Sequence, residues 1–199
     1  MLEENKIKEL IKKMVKESKQ ITEEELKESF IKNFGEDKWI EEEMLGKLIP
    51  LSIEVSNFLG IDFYPILFED IEEDSRIYYK EEYIAINTKY KDNYLECIKS
   101  VIHELRHVYQ MLYASTSNDK RAKVFKEELA SPVELDPKDS KSITQYYIQA
   151  IELDAFAFTK WYLKEFHNVD VIHPSKDYEA IICAYIEKYF QLFLKMGII

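Results

Sequence analysis

Glycine is scarce. The 199-residue chain holds four, Gly35, Gly46, Gly60 and Gly197. Neither G-x-G-x-x-G nor G-x-x-x-x-G-K-[ST] can be written from them, which excludes a Rossmann fingerprint and a P-loop and makes phosphate-cradling chemistry a poor expectation. Cysteine is scarcer: Cys97 and Cys183 stand apart, without a C-x-x-C pair, so no disulfide framework is expected. No apolar run reaches transmembrane length, and Met1-Leu2-Glu3-Glu4 is acidic where a secretory leader is basic. The expectation is a soluble cytoplasmic protein with no membrane partner and reduced thiols. Basic residues are also in deficit, 27 Lys+Arg against 38 Asp+Glu, for a net charge of −11. Such a field repels a phosphate backbone, arguing against direct nucleic-acid binding and for a protein or peptide partner, preferably basic. There is no internal repeat and no low-complexity tract.

Hydrophobic residues make up 46% of the chain, enough for one domain with a sizeable core. Ile7, Leu10, Ile11, Met14 and Val15 recur at helical spacing, and Thr22 with Glu25 reads as a capping box before Leu26, Phe30, Ile31 and Phe34. Residues 39–58 predict a further helix, interrupted or kinked at Pro50 and capped by Gly60. Then β-branched and aromatic residues cluster at 63–68, 76–79 and 83–87 between acidic turns, predicting a small three-stranded sheet, antiparallel or mixed. Helical patterning returns at about 94–114, 119–130, 143–167 and 176–195, with a loop at 131–142. The fold class expected is α+β and mostly helical. Residues 1–60 form a helical N-terminal region, and 61–199 form a second region either separate from it or continuous with it.

One motif carries chemistry. His103-Glu104-Leu105-Arg106-His107 is an H-E-x-x-H within a predicted helix. Helical spacing sets the two imidazoles only about 40° apart and one turn distant, so their nitrogens converge on one point, as a tetrahedral zinc ion requires. Glu104, about 100° round from His103, reaches a water there without ligating the ion. Glu96, Ser100, His103, His107, Gln110 and Ala114 share a stripe expected to face a cleft, with Ile98, Val101, Leu105, Val108 and Leu112 opposite, towards the core.

A third ligand is needed. The extension H-x-x-G-x-x-H fails, because Gln110 and Tyr113 occupy its Gly and third His positions. Glu152 is favoured, since its helix is apolar almost all round and a carboxylate there needs a partner. Glu127 and Glu128 are the rivals, and a solvated face is the plainer reading for both. Asp154, about 200° from Glu152, should not share the site directly and reads either as a residue supporting a ligand from behind or as polar surface, the latter slightly favoured. Tyr146, Tyr147, His173 and Tyr178 are candidate donors to a tetrahedral oxyanion. Residues 83–87, just before the motif helix, read either as a sheet edge able to pair with an extended substrate or as an internal strand.

Ile84-Ala85-Ile86-Asn87, then His-Glu-Leu-Arg-His, then a later Glu-x-Asp-Ala-x-Ala-Phe helix resemble the ImmA/IrrE-type metallopeptidases, small gluzincin-related zincins. The resemblance spans roughly residues 63–165. It implies a zincin-like fold, zinc on His103, His107 and Glu152, Glu104 as general base, and cleavage of a cytosolic, often regulatory, protein. Arg106 departs from the glycine frequent before the second histidine and is expected to border the site. Phe156 stands where a gluzincin aspartate would, and the helix near 119–130 lengthens the gap between ligands and could reshape the cleft. The alternatives are a non-catalytic interaction module on a zincin scaffold and a metal-dependent hydrolase of a non-peptide amide.

Overall fold

The computed structural model describes residues 36–131, 133, 140–173 and 175–195. The helices predicted before residue 36 lie outside them, as does most of the predicted loop at 131–142. Contacts divide the chain into Met1–Glu43 and Met44–Ile199, and the core and the candidate site both belong to the second unit. Leu48, Leu51 and Val55 pack into the same core as the motif helix, so residues 44–60 are part of that unit.

The first described helix, α1, is Glu36–Leu59 and runs through Pro50 rather than breaking there. It ends as Gly60 predicts. Gly60 takes a left-handed φ of 66°, Ile61 N–H donates to the Ser56 carbonyl and Gly60 N–H to that of Asn57. This pair of bonds satisfies the last carbonyls of the helix, and glycine makes the turn without strain.

Three strands follow: β1, Ile66–Glu69; β2, Ser75–Tyr78; and β3, Tyr83–Asn87. Their order is β1-β3-β2, with β1 parallel and β2 antiparallel to β3. The sheet is thus mixed. Ile84, Ala85 and Ile86 of β3 are fully buried in succession, the pattern of a strand covered on both faces. The Asn87 side chain holds the preceding loop, donating to the carbonyls of Ile71 and Glu73, and caps a short 3₁₀ turn, Thr88–Tyr90.

That turn delivers the chain into α2, Tyr94–Thr116, capped by Asn93. Then come α3, Lys120–Ala130; α4, Ser140–Tyr147; α5, Ala150–His167; and α6, Lys176–Lys195. The stretch predicted as one helix over 143–167 is two. At the break Gln149 is extended, its side chain bonds both backbone groups of Val133, and the Glu128 carboxylate accepts the N–H groups of Ala150 and Ile151. A capped N-terminus needs donors free of an intrahelical partner, and an anion there is also favoured by the helix dipole.

The core joins α1, the sheet, α2, α5 and α6 through Leu48, Val55, Ile84, Ile86, Val101, Leu105, Phe158 and Phe190. The stripe of α2 that carries the histidines is buried too, because α5 covers it: Ser100, His107, Gln110 and Ala114 are all buried. Leu112, assigned to the core face by periodicity, is instead 43% exposed near the end of the helix. Among the described residues no helix is long and apolar enough to cross a membrane.

Candidate metal centre

Helix α2 presents His103 and His107 one turn apart, and their Nε2 atoms lie 3.0 Å from each other. Helix α5 brings Glu152 onto the same point, with Oε2 3.3 Å from His103 Nε2 and Oε1 3.5 Å from His107 Nε2. These are the three side chains that the sequence places around one ion, and among the described residues they form the one cluster of three or more such groups able to hold a metal. An ion with ligand bonds of about 2.0–2.1 Å in tetrahedral geometry holds its donors about 3.3 Å apart. The three observed separations bracket that value.

Burial gives a second test of fit. Glu152 Oε2 is buried and accepts no well-formed hydrogen bond. Such an atom costs free energy unless a cation or donor meets it. Burial works to raise the Glu152 carboxyl, but His107, His103 and the Tyr146 hydroxyl outweigh it and hold it at about 2. Burial likewise opposes the charged form of His103, yet the adjoining Glu152 and Glu104 carboxylates raise it above the usual imidazole value. A carboxylate kept anionic beside two converging imidazole nitrogens is a donor set for a divalent ion.

The surroundings correct several expectations. Asp154 is fully buried, not surface. It accepts Nε and Nη2 of Arg106 at 2.8 and 3.2 Å, Arg121, the Tyr185 hydroxyl at 3.2 Å and Gln110 Nε2 at 2.8 Å. Those guanidiniums keep its carboxyl below the ordinary range although burial pushes the other way. Arg106 therefore does not border the metal cluster. It turns to Asp154 and stacks over Tyr109 and Phe158. Helix α3 contributes Arg121 to Asp154 and Glu128 to the N-terminus of α5, so it braces the helix that bears Glu152. Glu128 is thus neither metal ligand nor solvated face, whereas Glu127 is exposed. Phe156 lies against the His103 ring, with centroids 4.6 Å apart.

Glu104 is buried, and the Ser75 hydroxyl donates to its Oε1 at 2.7 Å. Ser75 begins β2, the strand at the sheet edge nearest the cluster. Residues 83–87 are the central strand, so their reading as an edge is overturned: β2 occupies that side of them. The four candidate donors separate. Burial first, then the Glu152 and Glu104 carboxylates, push the Tyr146 hydroxyl far above the usual phenol range, so it stays protonated. Tyr147, Tyr178 and His173 instead pack with Phe156 in an aromatic group. Ser175 N–H donates to His173 Nδ1, and burial lowers that ring's pKa.

Ser75, Gln110 and Tyr79 were not singled out by sequence as supports of the site. Burial pushes the Tyr79 phenol up, and the Glu104 and Glu152 carboxylates add to the shift. Gln110 had a legible signal, its i, i+3 spacing from His107 on the same stripe. Ser75 had none, since only strand order brings it to Glu104. No protein-family model, curated protein or solved structure matches the chain.

Proposed function

We propose that the protein is a zinc metallopeptidase of the ImmA/IrrE type, acting on a cytosolic protein or peptide. The observation that carries this reading is the meeting of His103, His107 and Glu152 with an intact Glu104 beside them. Two imidazoles and one carboxylate are a ligand set that catalytic zinc uses while keeping a position open. Zinc bound there would supply Lewis acidity, polarising the scissile carbonyl and acidifying water at neutral pH.

The chain's own groups supply the rest. Glu104 accepts the proton of the attacking water and returns it to the leaving amine. The Ser75 hydroxyl holds one carboxylate oxygen of Glu104, leaving the other to the water. Tyr146, kept protonated, is the donor we assign to the charge that develops on the carbonyl oxygen. A structural metal site has no use for a general base, and this favours hydrolysis over a purely interacting scaffold. The charge of −11 favours basic or neutral segments as substrate.

The reading is tested by metal analysis of the purified protein, by an anomalous-scattering map at the zinc edge and by cleavage of an unstructured peptide library. One zinc per chain on His103, His107 and Glu152, with chelator-sensitive cleavage, is the expected result. A protein that takes up no zinc on reconstitution removes the reading. Ser75→Ala should lower kcat about tenfold, since a hydrogen bond to a charged group contributes about 1.5–3 kcal/mol and water replaces part of it. KM and zinc content should hold, and an unchanged kcat would remove Ser75 from this role.

A further inference from the structure

His107 faces the cluster through Nε2, so its other nitrogen decides which tautomer it adopts. That atom, Nδ1, lies 2.8 Å from Gln110 Oε1. Gln110 is fully buried, and the orientation of its amide is determined by its neighbours. Its nitrogen stands 2.8 Å from the Ile151 carbonyl oxygen and 2.8 Å from Asp154 Oδ2, and both of these can only accept. The amide oxygen must then point at His107, where it can only accept. Nδ1 therefore carries the hydrogen, and in the neutral ring Nε2 is the nitrogen left with its lone pair. Asp154 cannot move away to release this arrangement, since Arg106, Arg121 and Tyr185, from α2, α3 and α6, hold it as well.

We propose that Gln110 is a positioning residue that sets the tautomer and ring orientation of His107, with Asp154 as its anchor. Its purpose rests on the metallopeptidase reading, but its geometry does not. The chain of contacts begins with buried charges, passes through one amide and ends at a ligand nitrogen. It ties α2 to α5 at the level of Ile151, next to Glu152, so the amide that orients one donor is bonded to the helix carrying another.

Two variants and one spectroscopic measurement test this. Long-range proton–nitrogen correlation spectra of the metal-free wild type should show His107 protonated at Nδ1. Finding Nδ1 without a proton, and the neutral ring protonated at Nε2, would overturn the proposal whether or not the protein binds zinc. Gln110→Met fills nearly the same volume without an acceptor, and Gln110→Glu retains an oxygen for the Nδ1 proton. Zinc affinity, read by chelator competition with zinc alone, should fall about 10–100-fold in the Met variant. The Glu variant should bind more tightly than the Met variant. Equal losses in both would mean that Gln110 only fills space, and an unchanged affinity in the Met variant would equally overturn the proposal. A wild type that binds no zinc while His107 shows the expected tautomer would remove the peptidase reading and leave the role of Gln110 standing.

Discussion

Glu104→Gln should leave zinc bound and lower peptide hydrolysis by about 10²–10⁴-fold, the range attributed to a positioned general acid–base group. Glutamine matches glutamate in shape, and its carbonyl oxygen can still accept from Ser75, so the helix, the ligands and the contact to β2 should be undisturbed. What is lost is a group that takes a proton from water and returns it. The measurement is kcat on a fluorogenic peptide alongside the zinc content of the same sample. A variant that turns over at the wild-type rate removes Glu104 from its assigned role. One that loses zinc means that Glu104 helps hold the metal, contrary to the geometry, in which the Ser75 hydroxyl takes one of its oxygens.

Loss of a ligand should act on the metal itself. His103→Ala or Glu152→Gln should weaken zinc binding by about 10²–10³-fold. Zinc sites bind with roughly 10–16 kcal/mol, so one donor in three or four accounts for about 3–4 kcal/mol. The two changes differ in kind. The alanine removes a nitrogen and leaves Glu152 Oε2 without its nearest imidazole at 3.3 Å. The glutamine keeps shape but removes the charge that the imidazoles hold in place. Glu127→Gln, on an exposed face, is the control and should leave affinity unchanged. Competition against a chromophoric chelator ranks the three, and a larger loss for the Glu127 variant would mean that the third donor comes from α3.

The reach of the sequence follows the range of the forces involved. The convergence of His103 and His107 is a property of helix geometry alone, so an H-E-x-x-H on a helical pattern was sufficient. The Gly60 cap was legible for the same reason, since one residue's freedom to adopt positive φ terminates α1. Periodicity failed at α2 because it records which face is apolar, not which face is covered. A polar stripe was read as facing a cleft, and α5 covers most of it. It failed again at 143–167, where nothing local marks the break at Gln149. Glu128, from another helix, caps the new N-terminus there.

Asp154 is the instructive residue. Its angle to Glu152 on the helix correctly kept it away from the metal, yet exposure did not follow from that angle. Arg106 and Arg121 neutralise it in the interior, and their approach depends on contacts 48 and 33 residues apart in the chain. Asp154 read singly looked like surface, whereas it and the two guanidiniums satisfy one another and hold Gln110 with them.

By itself the sequence determined most of the helical and strand segments of the described region, the paired imidazoles and the Glu104 carboxylate beside them, because each depends on neighbours within a turn or two of backbone. Tertiary structure alone decided that the Glu152 carboxylate meets both imidazoles, that β3 lies inside the sheet with β2 at its edge, and that Gln110 lies against His107 and Ser75 against Glu104. Those outcomes depend on how separate segments pack, and packing is settled by the burial of whole faces rather than by any local pattern of residues.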